Sequence, residues 1–191
     1  GFGRLPGYTQ AGGTGGFIVV GNHACGLDPI FIQCGLRRHL RWMMWKDMFV
    51  PILGPLWSHE RMIAVGAGPQ EDGMALREAI RHIRAGHGLG LFPEGGIARP
   101  PSELRPFLPG AGLLARLGKA PVLLFFIDRT GFCESAWGSI VTPSRTTVEF
   151  LGAFDLRAIA DPAEAAEVLR EALRQRSGWP LNDLSTLNEE Q

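Results

Sequence analysis

Apolar residues in this chain gather in short runs separated by loops rich in Gly and Pro. Phe17-Ile18-Val19-Val20 predicts a strand that ends at Gly21-Asn22-His23. Asp28-Pro29 then predicts a helix start, with Asp28 at the N-cap and the helix running toward Arg37. Further strands are predicted over Arg41 to Met44, Met62 to Val65 and Leu89 to Phe92. Between the last two, Asp72 caps a predicted helix with Leu76, Ala79, Ile80 and Ile83 on one face and Gly86 at its close. Ala111 to Leu117 predicts a short helix stopped by Gly118, and Val122 to Ile127 and Thr147 to Leu151 predict two more strands. The final helix carries the fullest signal. Asp161, Pro162 and Glu164 form its start, and Ala165, Val168, Leu169, Ala172 and Leu173 form its apolar stripe.

Strands alternating with helices predict an α/β domain, with a mostly parallel or mixed central sheet flanked by helices. The length of 191 residues fits a single domain spanning residues 1–191. In such sheets ligands bind beyond the carboxyl ends of the strands. Two polar motifs fall at such ends, Asn22-His23 and Glu94-Gly95.

Composition narrows the picture. The chain is 45% hydrophobic and 20% charged with a formal net charge of zero, which predicts a folded domain and gives no global basic field for nucleic acid. The three cysteines, Cys25, Cys34 and Cys133, have no C-x-x-C spacing, so neither a disulfide framework nor a zinc site is expected, and a reducing, cytoplasmic setting is. The longest apolar run, Ala120 to Ile127, falls short of the roughly 20 residues of a spanning helix.

His23 and Asp28 are the first candidates for chemistry. A histidine can take a proton from a hydroxyl when a carboxylate holds its other ring nitrogen. On one continuous helix this spacing separates two side chains by about 140°. A strand exit facing a helix start brings them together, with Gly26 easing the turn. The competing reading leaves Asp28 as a helix cap and His23 on loop backbone. No G-x-S-x-G elbow is present, so a direct proton abstraction fits better than a serine acyl-enzyme. Phe92-Pro93-Glu94-Gly95-Gly96, followed by Arg99 and Arg105, is the second candidate. Glycines at a strand exit let backbone N–H groups approach an anion, and arginines grip phosphate.

Taken in order, Asn22-His23-x-x-x-x-Asp28, Phe92-Pro93-Glu94-Gly95 and Lys119-Ala120-Pro121-Val122 resemble the glycerolipid acyltransferase family, which includes 1-acylglycerol-3-phosphate acyltransferases. The resemblance runs from about Phe17 to about residue 127. Lys46-Asp47 with Pro51 and Gly54, and Gly110 with its helix, fit the same pattern. It implies His23 as base, Asp28 as its orienting partner, and Glu94 and Gly95 at the acceptor. Asn22, Gly96, Arg99 and Arg105 join these as expected substrate-binding residues. The chain departs from the pattern in two places. The family's second-motif arginine falls near Ala67, and the third motif continues Gly96-Ile97-Ala98-Arg99 in place of Thr-Arg-Ser.

The resemblance further implies acyl transfer from acyl-CoA or an acyl carrier protein to a lipid hydroxyl, with no metal or cofactor, on a membrane surface. Trp42, Trp45 and Trp57 with Met43, Met44, Met48 and Phe49 form either a membrane-facing or acyl-binding patch or core. Arg37, Arg38 and Arg41 are candidates for lipid headgroups. His39, His59, His82 and His87 have no partners at motif spacing.

Overall fold

The structure is a computed structural model that describes residues 15–46, 62–66, 68–131 and 142–183. Its strands are β1 (Phe17–Gly21), β2 (Leu40–Trp45), β3 (Ile63–Val65), β4 (Gly88–Leu91), β5 (Val122–Asp128) and β6 (Thr147–Phe154). Its helices are α1 (Asp28–Gly35), α2 (Pro69–Arg84), α3 (Gly110–Gly118) and α4 (Pro162–Ser177). The sheet has the order β3-β2-β4-β1-β5-β6. All neighbouring pairs are parallel except β5 and β6. The expected α/β architecture is therefore present, with a mixed sheet.

Period-two alternation divides β1 between two cores. Ile18 and Val20 face one side, where α2, α3 and α4 contribute Ala79, Ile83, Leu114, Ala115, Leu169 and Leu173. Phe17 and Val19 face the other, with Leu40, Trp42 and Ile32 and Leu36 of the α1 region. Both faces are covered, which is why the central strands read as unbroken apolar runs. On β4 the alternation is Gly-Leu-Gly-Leu. Leu89 and Leu91 enter the three-helix core. A Cβ at Gly88 would stand 2.5 Å from the Phe17 ring, and one at Gly90 would stand 2.5 Å from the Trp42 ring. The bare side of β4 lets those rings cross it.

Element ends depart from expectation where a local competitor wins. Asp28 is the first residue of α1, Leu27 stands at the cap with no side-chain bond, and the helix stops at Gly35 because Leu36 is extended. α2 starts at Pro69, three residues before Asp72, since Pro favours a first turn. Asp72 still satisfies a donor ahead of the helix, the Gly66 N–H at 2.7 Å. At the end of α3 the left-handed residue is Lys119 (φ 55°), while Gly118 lies tight against Ile83. β6 runs past Leu151 through a register shift that passes over Leu151, with Phe150 opposite Phe125 and Gly152 (φ 142°) opposite Leu124. α4 follows its signals, with Asp161 accepting from the Ala163 N–H at 2.9 Å. Within its predicted stripe, however, Val168 is 38% exposed, and the buried place goes to Arg170.

Among the described residues no helix is long and apolar enough to cross a membrane. Met48, Phe49, Trp57, His59 and Cys133 lie outside the described residues, as do the family-pattern positions Asp47, Pro51, Gly54 and Ala67.

Candidate functional site

β1 and β4 are adjacent and parallel, so their carboxyl ends deliver His23 and the 92–96 turn to one place. The turn after β1 closes on itself through Asp28. Its Oδ2 accepts from the Ala24 N–H (2.6 Å), the Cys25 N–H (2.8 Å) and His23 Nδ1 (2.9 Å). Its Oδ1 accepts from the Cys25 thiol at 3.3 Å. The carboxylate is fully buried, and these donors keep it satisfied there. Because a carboxylate only accepts, the neutral imidazole donates from Nδ1 and keeps its lone pair on Nε2. Asp28 thus bonds the His23 ring, and it gives α1 no side-chain cap.

The His23 ring is clamped from the side as well. It stacks on Phe92 at 4.1 Å and 8°, and Phe92 in turn stacks on Trp42 at 5.1 Å. Its backbone is gripped at both ends. The His23 N–H donates to Glu94 Oε1 at 2.9 Å, and the His23 carbonyl accepts from the Ala98 N–H at 2.8 Å. The sequence places Phe92 in the second candidate motif without a role for its ring, and it gives no role to Cys25 or Ala98, because ring and backbone contacts leave no compositional trace.

Glu94 is 1% exposed, so the side chain expected to face the acceptor faces the backbone of His23 instead. Burial lifts its carboxyl to about 8. The N–H groups of His23 and Arg105 and the Arg105 guanidinium pull the other way, and the Asp28 charge adds to the rise. Arg105 is equally buried, and its Nη2 donates to the Arg99 carbonyl at 2.7 Å. Asn22 is also interior. Its amide brackets Ile127 on β5, donating to the carbonyl and accepting from the N–H, both at 2.8 Å. These three side chains are turned toward the protein frame of the site, because each lies under the strand exits and is claimed by backbone groups there.

A cavity of about 750 Å³ opens beside His23. It extends across the top of the sheet from His23, Gly95, Gly96 and Ile97 to Met43, Met44 and Trp45 of β2 and Val65 and Gly66 at the end of β3. Leu27, Ile30 and Cys34 of the α1 region line one wall, and Leu76, Leu108 and Leu114 line the other. The walls are apolar apart from the histidine end and a few side chains such as Gln33 and Asp72. Of the tryptophan and methionine cluster, Trp42 is 4% exposed and belongs to the core, yet it lines the cavity together with Met43, Met44 and Trp45.

Arg99 lies at the turn's far side, partly buried, with Nη1 on the Ala98 carbonyl. Arg38 is taken up by the Gly15 and Gly86 carbonyls and Arg41 by Glu78. His82 and His87 stack at 4.9 Å beside the start of β4, at the opposite end of that strand. Among the described residues no group of three or more His, Cys, Asp or Glu is placed to hold a metal ion.

An α/β sheet whose adjacent strand exits present a carboxylate-oriented histidine over a deep apolar cavity defines a class suited to moving acyl groups. The Acyltransferase family model matches residues 6–127, more than half of the chain, and the chain belongs to that family. The crystal structure of the 1-acyl-sn-glycerophosphate (LPA) acyltransferase PlsC from Thermotoga maritima is similar, with a TM-score of 0.69 and 19% identity over 93% of this chain and 69% of that one. At that identity the likeness shows a shared fold. No curated protein matches the chain.

Proposed function

We propose that this protein transfers a fatty acyl group from an acyl thioester, on coenzyme A or an acyl carrier protein, to the hydroxyl of a lysophosphatidate-like or related lipid. The observation that carries this reading is the His23–Asp28 pair, 2.9 Å apart, at the head of a large apolar cavity. A fatty chain needs such a cavity, and a hydroxyl nucleophile needs such a base.

In this reading His23 Nε2 accepts the hydroxyl proton as the oxygen attacks the thioester carbonyl. Asp28 stays ionised and stabilises the imidazolium. The tetrahedral intermediate collapses, the C–S bond breaks, and His23 returns the proton to the leaving thiolate. Only proton transfer and acyl exchange occur, so the step calls for no cofactor. The N–H groups at the start of α1 are engaged: Asp28 donates to Cys25, and Ile30 and Phe31 donate to Leu27. The Gly95 N–H donates to Phe92. The N–H groups of Gly26 and Leu27, ahead of α1, and of Gly96 belong to residues that line the cavity and are the candidates for the developing oxyanion. Gly95, Gly96 and Arg99 form the acceptor side, with Asn22, Glu94 and Arg105 as its frame. Ile30, 51% exposed on the cavity wall, suits contact with a membrane surface from which the lipid is drawn.

Thiol release from acyl-CoA, measured with and without lysophosphatidate, tests the reading. Release that depends on the lysolipid and yields a diacyl product is expected. Equal release without lysolipid would mark a thioester hydrolase, and no release with any carrier would mark a lipid-binding domain.

A further inference from the structure

The matched family segment ends at residue 127, yet the loop carrying Arg99 and Arg105 is tied to residues well beyond it. That loop, residues 97–109, has three anchors. At its start the Ala98 N–H donates to the His23 carbonyl, and at its end the Leu108 N–H donates to the Pro93 carbonyl at 2.7 Å. The middle anchor is Leu104, fully buried, which forms a parallel bridge with Leu181. The Leu104 N–H donates to the Pro180 carbonyl, and the Asn182 N–H donates back to the Leu104 carbonyl, both at 3.0 Å.

Arg170 of α4 completes this clasp. It is 5% exposed, and its Nη2 donates to the Leu104 carbonyl (3.0 Å), the Asn182 carbonyl (3.3 Å) and Asp183 Oδ1 (3.1 Å). One guanidinium thus joins the loop, the terminal segment and a helix. Asn182 adds a side-chain bond to Glu103 Oε2 at 2.8 Å. α4 itself is pressed onto α3, the helix that follows the loop, where a Cβ at Gly112 would stand 2.6 Å from the Pro162 carbonyl. Leu104 is the residue before Arg105, which reaches both Glu94 and the carbonyl of Arg99.

We propose that Arg170 and residues 179–183 are positioning elements of the acceptor side, holding Leu104 so that Arg105, and through it Arg99, keep their places. This rests on the reading of residues 95–99 as the acceptor side. A buried Arg in a helix stripe has little reason to replace an apolar residue unless it satisfies backbone carbonyls, and of the two it meets one belongs to the loop of the site and the other to the strand-like segment bridged to that loop.

The test uses the full chain with Arg170→Ala, Arg170→Lys and, as a milder change, Asn182→Ala. Kinetics are measured with acyl-CoA and lysophosphatidate, and amide hydrogen exchange is followed without substrate. In Arg170→Ala the acceptor KM should rise about tenfold while the donor KM stays put. Exchange at residues 98–105 should quicken while β1 and β5 remain protected. Arg170→Lys should recover part of both effects, because an ammonium still donates to the Leu104 carbonyl. Asn182→Ala should show the same pattern at smaller size, and it decides the matter if Arg170→Ala fails to fold. Unchanged acceptor KM in folded variants, or equal losses in both substrates, overturns the proposal. So does exchange that quickens evenly through the protein. A wild-type enzyme with no acyl transfer would instead sink the acyltransferase reading, and the exchange arm would still report whether the clasp exists.

Discussion

The two strand exits that meet at His23 are built in opposite ways. The β1 exit is a closed local unit: every donor to Asp28 comes from residues 23–25, three to five positions away. The β4 exit is a long-range assembly. Glu94 reaches His23 across 71 positions, and the loop beyond it is clasped by Arg170 from 66 positions away. The local unit fixes the His23 ring, and the remote assembly decides where that ring and the neighbouring loop stand. Chemistry should therefore fail abruptly when the first is cut, and binding or stability should change by degrees when the second is.

The largest break is expected at the β1 exit. His23→Ala should lower kcat/KM by roughly 10²–10⁴-fold with the thermal unfolding midpoint close to wild type. Asp28→Asn should follow at about 10²-fold, because an amide cannot stabilise the imidazolium and its NH₂ opposes two backbone donors. Steady-state kinetics beside a thermal melt check both, and a folded, fully active His23→Ala would remove the histidine from the mechanism.

At the β4 exit the effects are smaller and of another kind. Arg99→Ala should raise the acceptor KM by roughly 10- to 150-fold, the loss of one charge-assisted bond of about 1.5–3 kcal/mol, and leave the donor KM alone. Arg99→Lys should rescue only part, since a point charge lacks the guanidinium fork. Unchanged acceptor kinetics would point to an acceptor without a phosphomonoester.

Glu94 sharpens the contrast through pH. Its folded carboxyl titrates near 8, above the ordinary value of 4.5. Below that ordinary value both folded and unfolded forms hold the proton, so its contribution is present in full. As pH rises to about 8 the unfolded chain gives up the proton first, and stability falls, by at most about 1.4 kcal/mol per pH unit. Above about 8 the fall stops. Urea unfolding across this window should show the slope in wild type and a flatter one in Glu94→Gln, and parallel slopes would deny Glu94 its part.

The same contrast explains what was legible in the sequence. β1, β5 and the start of α4 were readable because their signals are local: unbroken apolar runs and an Asp-Pro start. The His23–Asp28 pair was readable as a spacing, though a cap and a partner look alike until the turn is seen. Glu94 and Arg105 look like surface residues in a Gly-rich turn, and only the sheet order shows that they lie beneath it. α4 leaves the expected stripe residue Val168 exposed and buries Arg170, since a helical period cannot say which neighbour has a carbonyl to meet. The far end of β6 was hidden behind Gly152, a residue that ordinarily breaks strands and here makes a bulge.

One consequence reaches back to the bare side of β4. The space that a side chain at position 90 would fill is already occupied by the Trp42 indole, 2.5 Å from where a Cβ would stand. That indole carries Phe92, and Phe92 carries the His23 ring. A glycine on the strand beside β1 is thus the foundation of a column of three rings. Positions 42 and 90 share one volume, so a side chain at 90 and the indole at 42 cannot both keep their places. A relative that gains a methyl at 90 must shrink the ring at 42, and it inherits a histidine resting on a different footing.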